Sequence, residues 1–395
     1  MNNFIYYTPT KVLFGKDTEK EAGNMVAEFK GKKVLVHFGG NSAVKSGLLD
    51  RVCKSLEDAG LEYIKLGGVV PNPRLSKVNE GIELCKKNGL DFILAVGGGS
   101  VIDSAKAIGF GLAMGGDVWD VYARIRPPVG SAPVGCVLTI SATGSEMSDS
   151  SVITNEEGGL KRGHNNNLCR LKFAIMNPVL TFTLPWYQAA SGAADIIMHT
   201  LERWFDNART SAQLTDAIAI SLIKTVMDNI LVLKKNPTDY DAAAELMWAG
   251  SLSHNGLTGC GGSPPPVVLP GDWACHQLEH ELGGMFDVTH GAGLTAVWGS
   301  WARYVSKEKP ERFAKLGRDL FGMRDAAPAE CIKKMEDFFL SIDMPISVKG
   351  LGVTLTEENI KEMALKCNFF GKRKIGGYRP LEDSDIENIF RMAKG

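Results

Sequence analysis
The sequence predicts an α/β domain built on a parallel sheet over residues 1–185, followed by an all-helical domain over residues 186–395. Three observations carry this reading. Short apolar, β-branched runs alternate with helical patterns of about 10 to 15 residues through the first half, the signature of βαβ units and a sheet covered on both faces. Glycine-polar clusters directly follow two of those runs, at the strand ends where such sheets bind ligands. Beyond the boundary at Thr183-Leu184-Pro185 strand-like runs become sparse and helical periodicity takes over.

The elements follow in order. KKVLVHF (32–38) is a strand ending in Gly39-Gly40-Asn41-Ser42, and LLDRVCKSLEDAG is an amphipathic helix stopped by Gly60. YIKLGGVV is a strand closed by Pro71-Asn72-Pro73; LSKVNEGIELCKKNGL is the next helix. DFILAVGGGS is a strand feeding the helix VIDSAKAIGFGLA, and VGCVLTISATG (134–144) is a buried strand leading into a polar loop, ISATGSEMSDSS. In the second half, helices are predicted in TLPWYQAASGAADIIMHTLERWF, TDAIAISLIKTVMDNILVLKK, DAAAELMWAGSLSHNGL, PERFAKLGRDLFGM, AECIKKMEDFFLSI and SDIENIFRMAKG. GCGGSPPPVVLPGD (259–272) is predicted as a loop, because consecutive prolines cannot continue a helix.

A chain of 395 residues has room for two cores. With a net charge of −1 and no basic run, nothing recruits nucleic acid or an anionic membrane. No stretch reaches the ~18 to 20 apolar residues of a spanning helix, and the opening residues lack the basic and apolar regions of a signal peptide. The eight cysteines are scattered with no C-x-x-C pair, which reads as reduced thiols in a cytoplasmic protein.

Gly97-Gly98-Gly99-Ser100 opens a helix whose N-terminus offers N–H groups and partial positive charge to a pyrophosphate. A tight turn packing helix on strand explains the same glycines. The second cluster, Gly39 to Ser42, favours a nucleotide: one loop takes the pyrophosphate while the other takes the adenosine ribose.

The second half holds a pattern of metal-ligand residue types. Asp195 and His199 stand four apart, as do His276 and His280, and His290 follows ten residues later; four of the seven histidines fall here. Residues four apart share a helix face and aim at one point. One carboxylate with imidazoles suits Fe²⁺ or Zn²⁺ better than Ca²⁺ or Mg²⁺. A single buried histidine is ordinarily a hydrogen-bonded core residue, but two such pairs and a further histidine favour ligation. His254 and His164 lack such company, and His37 reads as polar filler near the first glycine loop. His276-Gln277-Leu278-Glu279-His280 also matches H-x-x-E-H, in which Glu279 would activate water for peptide hydrolysis. That reading leaves Asp195, His199 and both glycine loops without a role.

Together GGGSVIDSAK, ATGSE, D-x-x-x-H at 195–199 and H-x-x-x-H-x(9)-H-G at 276–291 resemble the iron-containing (group III) alcohol dehydrogenases. TPTKVLFG, VVPNPR, NPVLTFTLP and GGYRPLEDSDI extend the resemblance over the chain and make it most similar to the NADPH-dependent butanol dehydrogenase and broad aldehyde reductase branch. The resemblance implies a dehydroquinate synthase-like fold, an active site in a cleft between a dinucleotide-binding α/β domain and a helical domain, and a homodimer. By position it implies Asp195, His199, His276 and His290 as metal ligands and His280 as a residue beside the substrate, where spacing alone pairs His276 with His280. On the cofactor side it implies Gly39, Gly40, Asn41, Ser42, Asn72, Gly97, Gly98, Gly99, Ser100, Asp103, Thr139, Thr143, Ser148 and Lys161.

The implied reaction is hydride transfer between NADP(H), with NAD(H) a further possibility, and a small alcohol or aldehyde. Fe²⁺ or Zn²⁺ serves as Lewis acid, and His280 or water relays the proton. In NAD-specific members of the family an Asp follows the first strand; counting back from Gly47, Gly40 holds that place here. Trp273, Met285, Phe286 and Phe369-Phe370 are expected to line an apolar pocket. Two other classes are carried as alternatives: a sugar-phosphate cyclase of the dehydroquinate-synthase kind, which needs basic residues that the 276–290 segment lacks, and a non-catalytic nucleotide-binding protein.

Overall fold
In the computed structural model, which describes residues 1–207, 211–263, 270–325 and 327–395, the chain divides into two units. One is Tyr7–Leu184; the other is Pro185–Gly395 together with Met1–Tyr6. The first six residues therefore belong with the helices and not with the sheet, an association visible in the bond from the Asn2 amide to the Gly261 carbonyl. Residues 264–269 of the proline-rich loop expected at 259–272 lie outside the described residues.

The sheet unit contains β1 (Lys11–Phe14), β2 (Lys33–Phe38), β3 (Glu62–Leu66), β4 (Phe92–Gly97), β5 (Val134–Leu138), β6 (Ser150–Asn155), β7 (Leu160–Asn165) and β8 (Phe173–Met176). Its helices are α1 (Ala22–Glu28), α2 (Ser42–Lys45), α3 (Leu48–Asp58), α4 (Leu75–Asn88), α5 (Gly99–Ala113) and α6 (Trp119–Tyr122). Six strands form one parallel sheet in the order β1-β8-β5-β4-β2-β3. The central strands are buried on both faces: Val34, Val36, Phe92, Leu94, Val96, Val137 and Ile175 close on Val26, Val52 and Leu56 of α1 and α3. Each such side chain contributes about 1.5–3 kcal/mol relative to exposure.

The winding reverses at β2 and β4. The chain runs outward from β2 to β3, then returns to the other side of β2 for β4 and continues to β5. The loops after β2 and β4 thus leave adjacent strands at a topological switch point, the place where open α/β sheets bind ligands. One expectation changes here. The segment read as a polar loop continues into an antiparallel hairpin, β6–β7, whose strands carry many polar residues and so lack a clean alternation of apolar side chains. The opening segment TPTKVLFG forms β1, which pairs with the four-residue β8.

His37, on β2, is fully buried and ties three elements together. Its Nδ1–H donates to the Leu66 carbonyl at 3.0 Å, and its Nε2 accepts from the Ser104 hydroxyl at 2.9 Å. Burial, against the raising effect of the Leu66 bond, lowers its pKa to about 4. The sign follows from linkage: the neutral imidazole is the folded form, so its contribution is complete above about pH 6.5 and is lost as pH falls toward 4. Between pH 7.5 and 5 the wild-type protein should lose about 2 kcal/mol through this group. Urea unfolding of wild type and His37→Gln at both pH values checks it; equal slopes in the two proteins would refute the assignment.

The helical unit contains α7 (Trp186–Trp204), α8 (Gln213–Lys235), α9 (Tyr240–His254), α10 (Ala274–Phe286), α11 (His290–Val305), α12 (Glu311–Phe321), α13 (Pro328–Ser341), α14 (Glu357–Cys367) and α15 (Asp383–Ala393). Among its described residues the extended structure is a single bridge, Ile375 to Leu381. From Ala190 to Trp204 every residue of α7 is buried, because α8, α9 and α11 surround it. A helix buried all round is a core helix, so Asp195 and His199 stand in a dry interior and need partners there. No helix among the described residues is long and apolar enough to cross a membrane.

Candidate metal centre and nucleotide loops
Asp195, His199 and Glu202 occupy positions i, i+4 and i+7 of α7 and share one face. α10 brings His276 to that face from its first turn, and α11 brings His290, its first residue. Asp195 Oδ1 is the hub, 3.4 Å from His199 Nδ1, 3.8 Å from His276 Nε2 and 3.6 Å from His290 Nε2. Ligands at ~2.1 Å in a tetrahedron stand about 3.4 Å apart, so this spacing suits one small cation. Among the described residues, ligand atoms of Asp195, His199 and His276 all lie within 4.8 Å of one another.

The polar atoms at this centre test the fit further. Asp195 Oδ1, His199 Nδ1 and His276 Nε2 are all buried without a hydrogen-bond partner. Each such atom costs about 1–3 kcal/mol. A divalent cation satisfies all three at once, and a carboxylate with imidazoles is a donor set for a transition ion. Burial first, then the neighbouring His254 and His276 imidazoles, hold His199 well below its ordinary value, so it is neutral, as a ligand must be. At His276 burial lowers the value, but the nearby carboxylates of Asp195 and Glu202 outweigh it and push it up to about 9. A proton and a cation therefore compete for the same nitrogen.

Two glutamates complete the surroundings. Glu202 Oε1 accepts from both the backbone N–H and the Nδ1–H of His276, each at 3.0 Å. Glu279 Oε2 accepts from His290 Nδ1–H. Sequence reasoning missed Glu202, although its place seven residues after Asp195 puts it on the ligand face. It assigned Glu279 only within the H-x-x-E-H match, where it would activate water; in the structure Glu279 instead accepts from His290.

His280 is buried beside the centre, its ring 6.2 Å from that of His290, outside the group formed by Asp195, His199 and His276. The pair favoured by spacing, His276 with His280, is not the pair that meets at Asp195. His254, expected to stand apart, packs edge-on against His199 with ring centres 4.0 Å apart. Trp273 closes this cluster 5.1 Å from the His276 ring, its backbone in the left-handed region and its other contacts including the Arg203 guanidinium 4.6 Å from its ring. Arg203 also donates to the carbonyls of His199 and Ser253. Met285 and Phe286 are half-buried, while Phe370 is 60% exposed.

In the sheet unit the two glycine loops are neighbours. A Cβ on Gly39 would lie 3.6 Å from Val101, in the first turn of α5. Gly98 caps α5 with no side-chain bond. A Cβ at Gly98 would fall 2.2 Å from Ile140, and one at Gly99 2.4 Å from Thr143 Oγ1, so these glycines let the 139–144 loop close on the helix start. The packing explanation of the triplet therefore holds at these two positions. Thr139 donates its N–H to the Gly97 carbonyl, and Thr143 Oγ1 accepts from Ser145 N–H. Asn72 is buried with a left-handed backbone, and Lys161 is buried on β7. Gly40 is exposed, and a Cβ there meets nothing within 4 Å. Asn41 and Ser42 follow it into the short turn of α2.

Asp103 and Ser148 have internal work. Asp103 accepts from the Ser145 hydroxyl at 2.6 Å and from the Val152 N–H at 3.0 Å. Ser148 receives Lys106, a fully buried lysine whose Nζ also donates to the carbonyls of Ser145 at 2.6 Å and Ser150 at 2.7 Å. Lys106 went unnamed in the sequence reading, though it stands three residues after Asp103 on the same helix face.

The chain resembles known proteins along its whole length. The profile of the iron-containing alcohol dehydrogenases matches residues 9–178, and that of the C-terminal region of the same family matches residues 189–394. It is 35% identical to the NADH-dependent butanol dehydrogenase A of Clostridium acetobutylicum, covering 100% of each chain. It is 30% identical to the NADPH-dependent aldehyde reductase of Escherichia coli, again over 100% of each. Among solved structures, the NADH-dependent butanol dehydrogenase A of Thermotoga maritima superposes with a TM-score of 0.95 at 35% identity, over 100% of this chain and 99% of that one.

Proposed function
The chain belongs to the iron-containing alcohol dehydrogenase family, and from that membership we propose that it interconverts primary alcohols such as butanol with their aldehydes, with NADP(H) preferred over NAD(H) and Fe²⁺ or Zn²⁺ bound by Asp195, His199, His276 and His290. The observation that carries the metal-dependent reading is the convergence of three orphaned, buried ligand atoms at Asp195, His199 and His276. Bound there, a divalent ion supplies Lewis acidity toward a carbonyl oxygen, and NADP(H) supplies the hydride. The protein's own work is to orient and to exclude water. Glu202 and Glu279 hold two imidazoles in place, and Trp273 packs its indole against the histidine cluster. His280, one helical turn from His276, holds the proton that the reduced product's oxygen gains.

The cofactor preference rests on Gly40. No carboxylate stands there to repel a 2′-phosphate, and the exposed backbone after β2 offers N–H groups to an anion. The related proteins divide on this point, with NADH named for the Clostridium enzyme and NADPH for the Escherichia one. We place the protein in the cytoplasm as a homodimer. Its eight cysteines form no disulfide, and light scattering should return about twice the 42.7 kDa chain mass.

One set of assays tests the proposal. Purified protein should contain iron or zinc and should reduce butanal faster than a phosphorylated aldehyde, with kcat/KM higher for NADPH than for NADH. Gly40 lies outside the left-handed region and has open space around it, so Asp fits there without strain. Gly40→Asp should lower kcat/KM for NADPH by about tenfold or more, ~1.4 kcal/mol, with far less effect on NADH. Wild-type preference for NADH, or an unchanged ratio in the variant, would remove the cofactor assignment. Faster turnover of the phosphorylated substrate would move the reading to the sugar-phosphate cyclases.

A further inference from the structure
We propose that Glu202 and Glu279 are positioning residues of the metal centre, each fixing one ligand imidazole in the Nδ1–H tautomer so that Nε2 faces Asp195, and that Glu279 is not a water-activating base. The proposal rests on the metal-dependent reading above and deepens it.

The geometry at the two imidazoles is the same. His276 turns Nε2 to within 3.8 Å of Asp195 Oδ1 and Nδ1 to Glu202; His290 turns Nε2 to within 3.6 Å of the same oxygen and Nδ1 to Glu279. A carboxylate on Nδ1–H decides the tautomer, leaves the Nε2 lone pair for a cation, and makes that nitrogen more basic. Glu202 is 2% exposed and Glu279 is fully buried, so neither meets bulk water. Glu202 also accepts the His276 backbone N–H in the first turn of α10, so its charge interacts favourably with the helix N-terminus while it holds the ring.

The slot for Glu279 is cut by a glycine. A Cβ on Gly293, one turn past His290 on α11, would lie 2.8 Å from Glu279 Cγ and 3.3 Å from Oε1. The segment HGAG thus carries the ligand and, three residues on, the gap that admits the carboxylate which orients it. In a peptidase arrangement Glu279 would face the cation between His276 and His280; here it reaches across to His290 on α11.

The test measures Zn²⁺ affinity of the full chain by chelator competition, after stripping and reloading, in wild type, Glu202→Gln, Glu279→Gln and Glu279→Ala. Glu279→Gln keeps an acceptor for Nδ1–H but loses the charge, and should bind Zn²⁺ about tenfold more weakly; Glu279→Ala loses both and should fall by up to about 100-fold. Glu202→Gln should follow Glu279→Gln. The absorption bands of the Co²⁺-loaded protein should shift in Glu279→Ala, while NADPH affinity, read by fluorescence, stays at the wild-type value. Should Glu279→Ala fail to fold, the loss in Glu279→Gln decides the matter. Zn²⁺ affinity unchanged in the variants overturns the proposal, as does loss of turnover in Glu279→Ala with affinity and Co²⁺ bands intact, the signature of a base. A wild-type chain that takes up neither Zn²⁺ nor Fe²⁺ removes the metal-dependent reading itself, and this inference with it.

Discussion
His276→Ala should release the metal and lower kcat/KM for aldehyde reduction by about 1,000-fold or more, ~4 kcal/mol of transition-state stabilisation. The imidazole is held from two sides, by Asp195 across the centre and by Glu202 behind. Truncation removes a ligand and leaves the Glu202 carboxylate buried without the ring N–H it accepts. His290→Ala should act in the same direction, because its Nε2 faces the same Asp195 oxygen. His280→Ala should differ: metal content stays, while turnover drops by roughly 10²- to 10⁴-fold, the usual contribution of a positioned proton donor. Metal analysis and steady-state kinetics on the three variants separate the roles. A site emptied by His280→Ala but not by His290→Ala would reinstate the pairing suggested by spacing, together with the H-x-x-E-H reading.

The second large effect is expected at a residue that binds nothing. Gly291 sits where α11 crosses α7, and a Cβ there would lie 2.0 Å from the Ser191 carbonyl oxygen and 2.8 Å from its carbon. Backbone atoms in the buried stretch of α7 cannot give way as a side-chain tip can. Gly291→Ala must therefore push α11 away from α7, at a cost of about 3 kcal/mol or more. The displaced residue next to it is His290, so the metal should weaken along with the fold. Urea unfolding and Zn²⁺ titration of Gly291→Ala measure both; wild-type values for the two would show that the helices are not held at this distance.

Much of the architecture was legible in the sequence because it is written in short-range periodicity. The run KKVLVHF marks β2, observed at Lys33–Phe38, and the apolar spacing of TDAIAISLIKTVMDNILVLKK marks α8, observed at Gln213–Lys235. Asp195 with His199 was readable for the same reason, since four residues on one helix bring two side chains to one face. The β6–β7 hairpin was not readable, because Lys161 and Arg162 are both buried in a strand whose pattern looks like a loop. Nor was the proximity of His254 to His199, fifty-five residues apart in sequence and 4.0 Å apart between ring centres.

The sequence by itself determined the succession of strands and helices, the residue types capable of holding a cation, and the glycine loops after β2 and β4. It left His280 and His290 open as partners of His276, because spacing reports which residues share a face of one helix and is silent on where that face points. In the tertiary structure it is His290 whose Nε2 stands 3.6 Å from Asp195 Oδ1. The close crossing of α11 on α7, allowed by Gly291 at Ser191, carries His290 to Asp195. The gap at Gly293 lets Glu279 reach His290, a contact that its neighbours in sequence do not suggest. The physical reason is packing. Periodicity acts along one element, whereas the cluster around Asp195 is assembled from three helices whose distances are set by the few side chains, or missing side chains, where they touch.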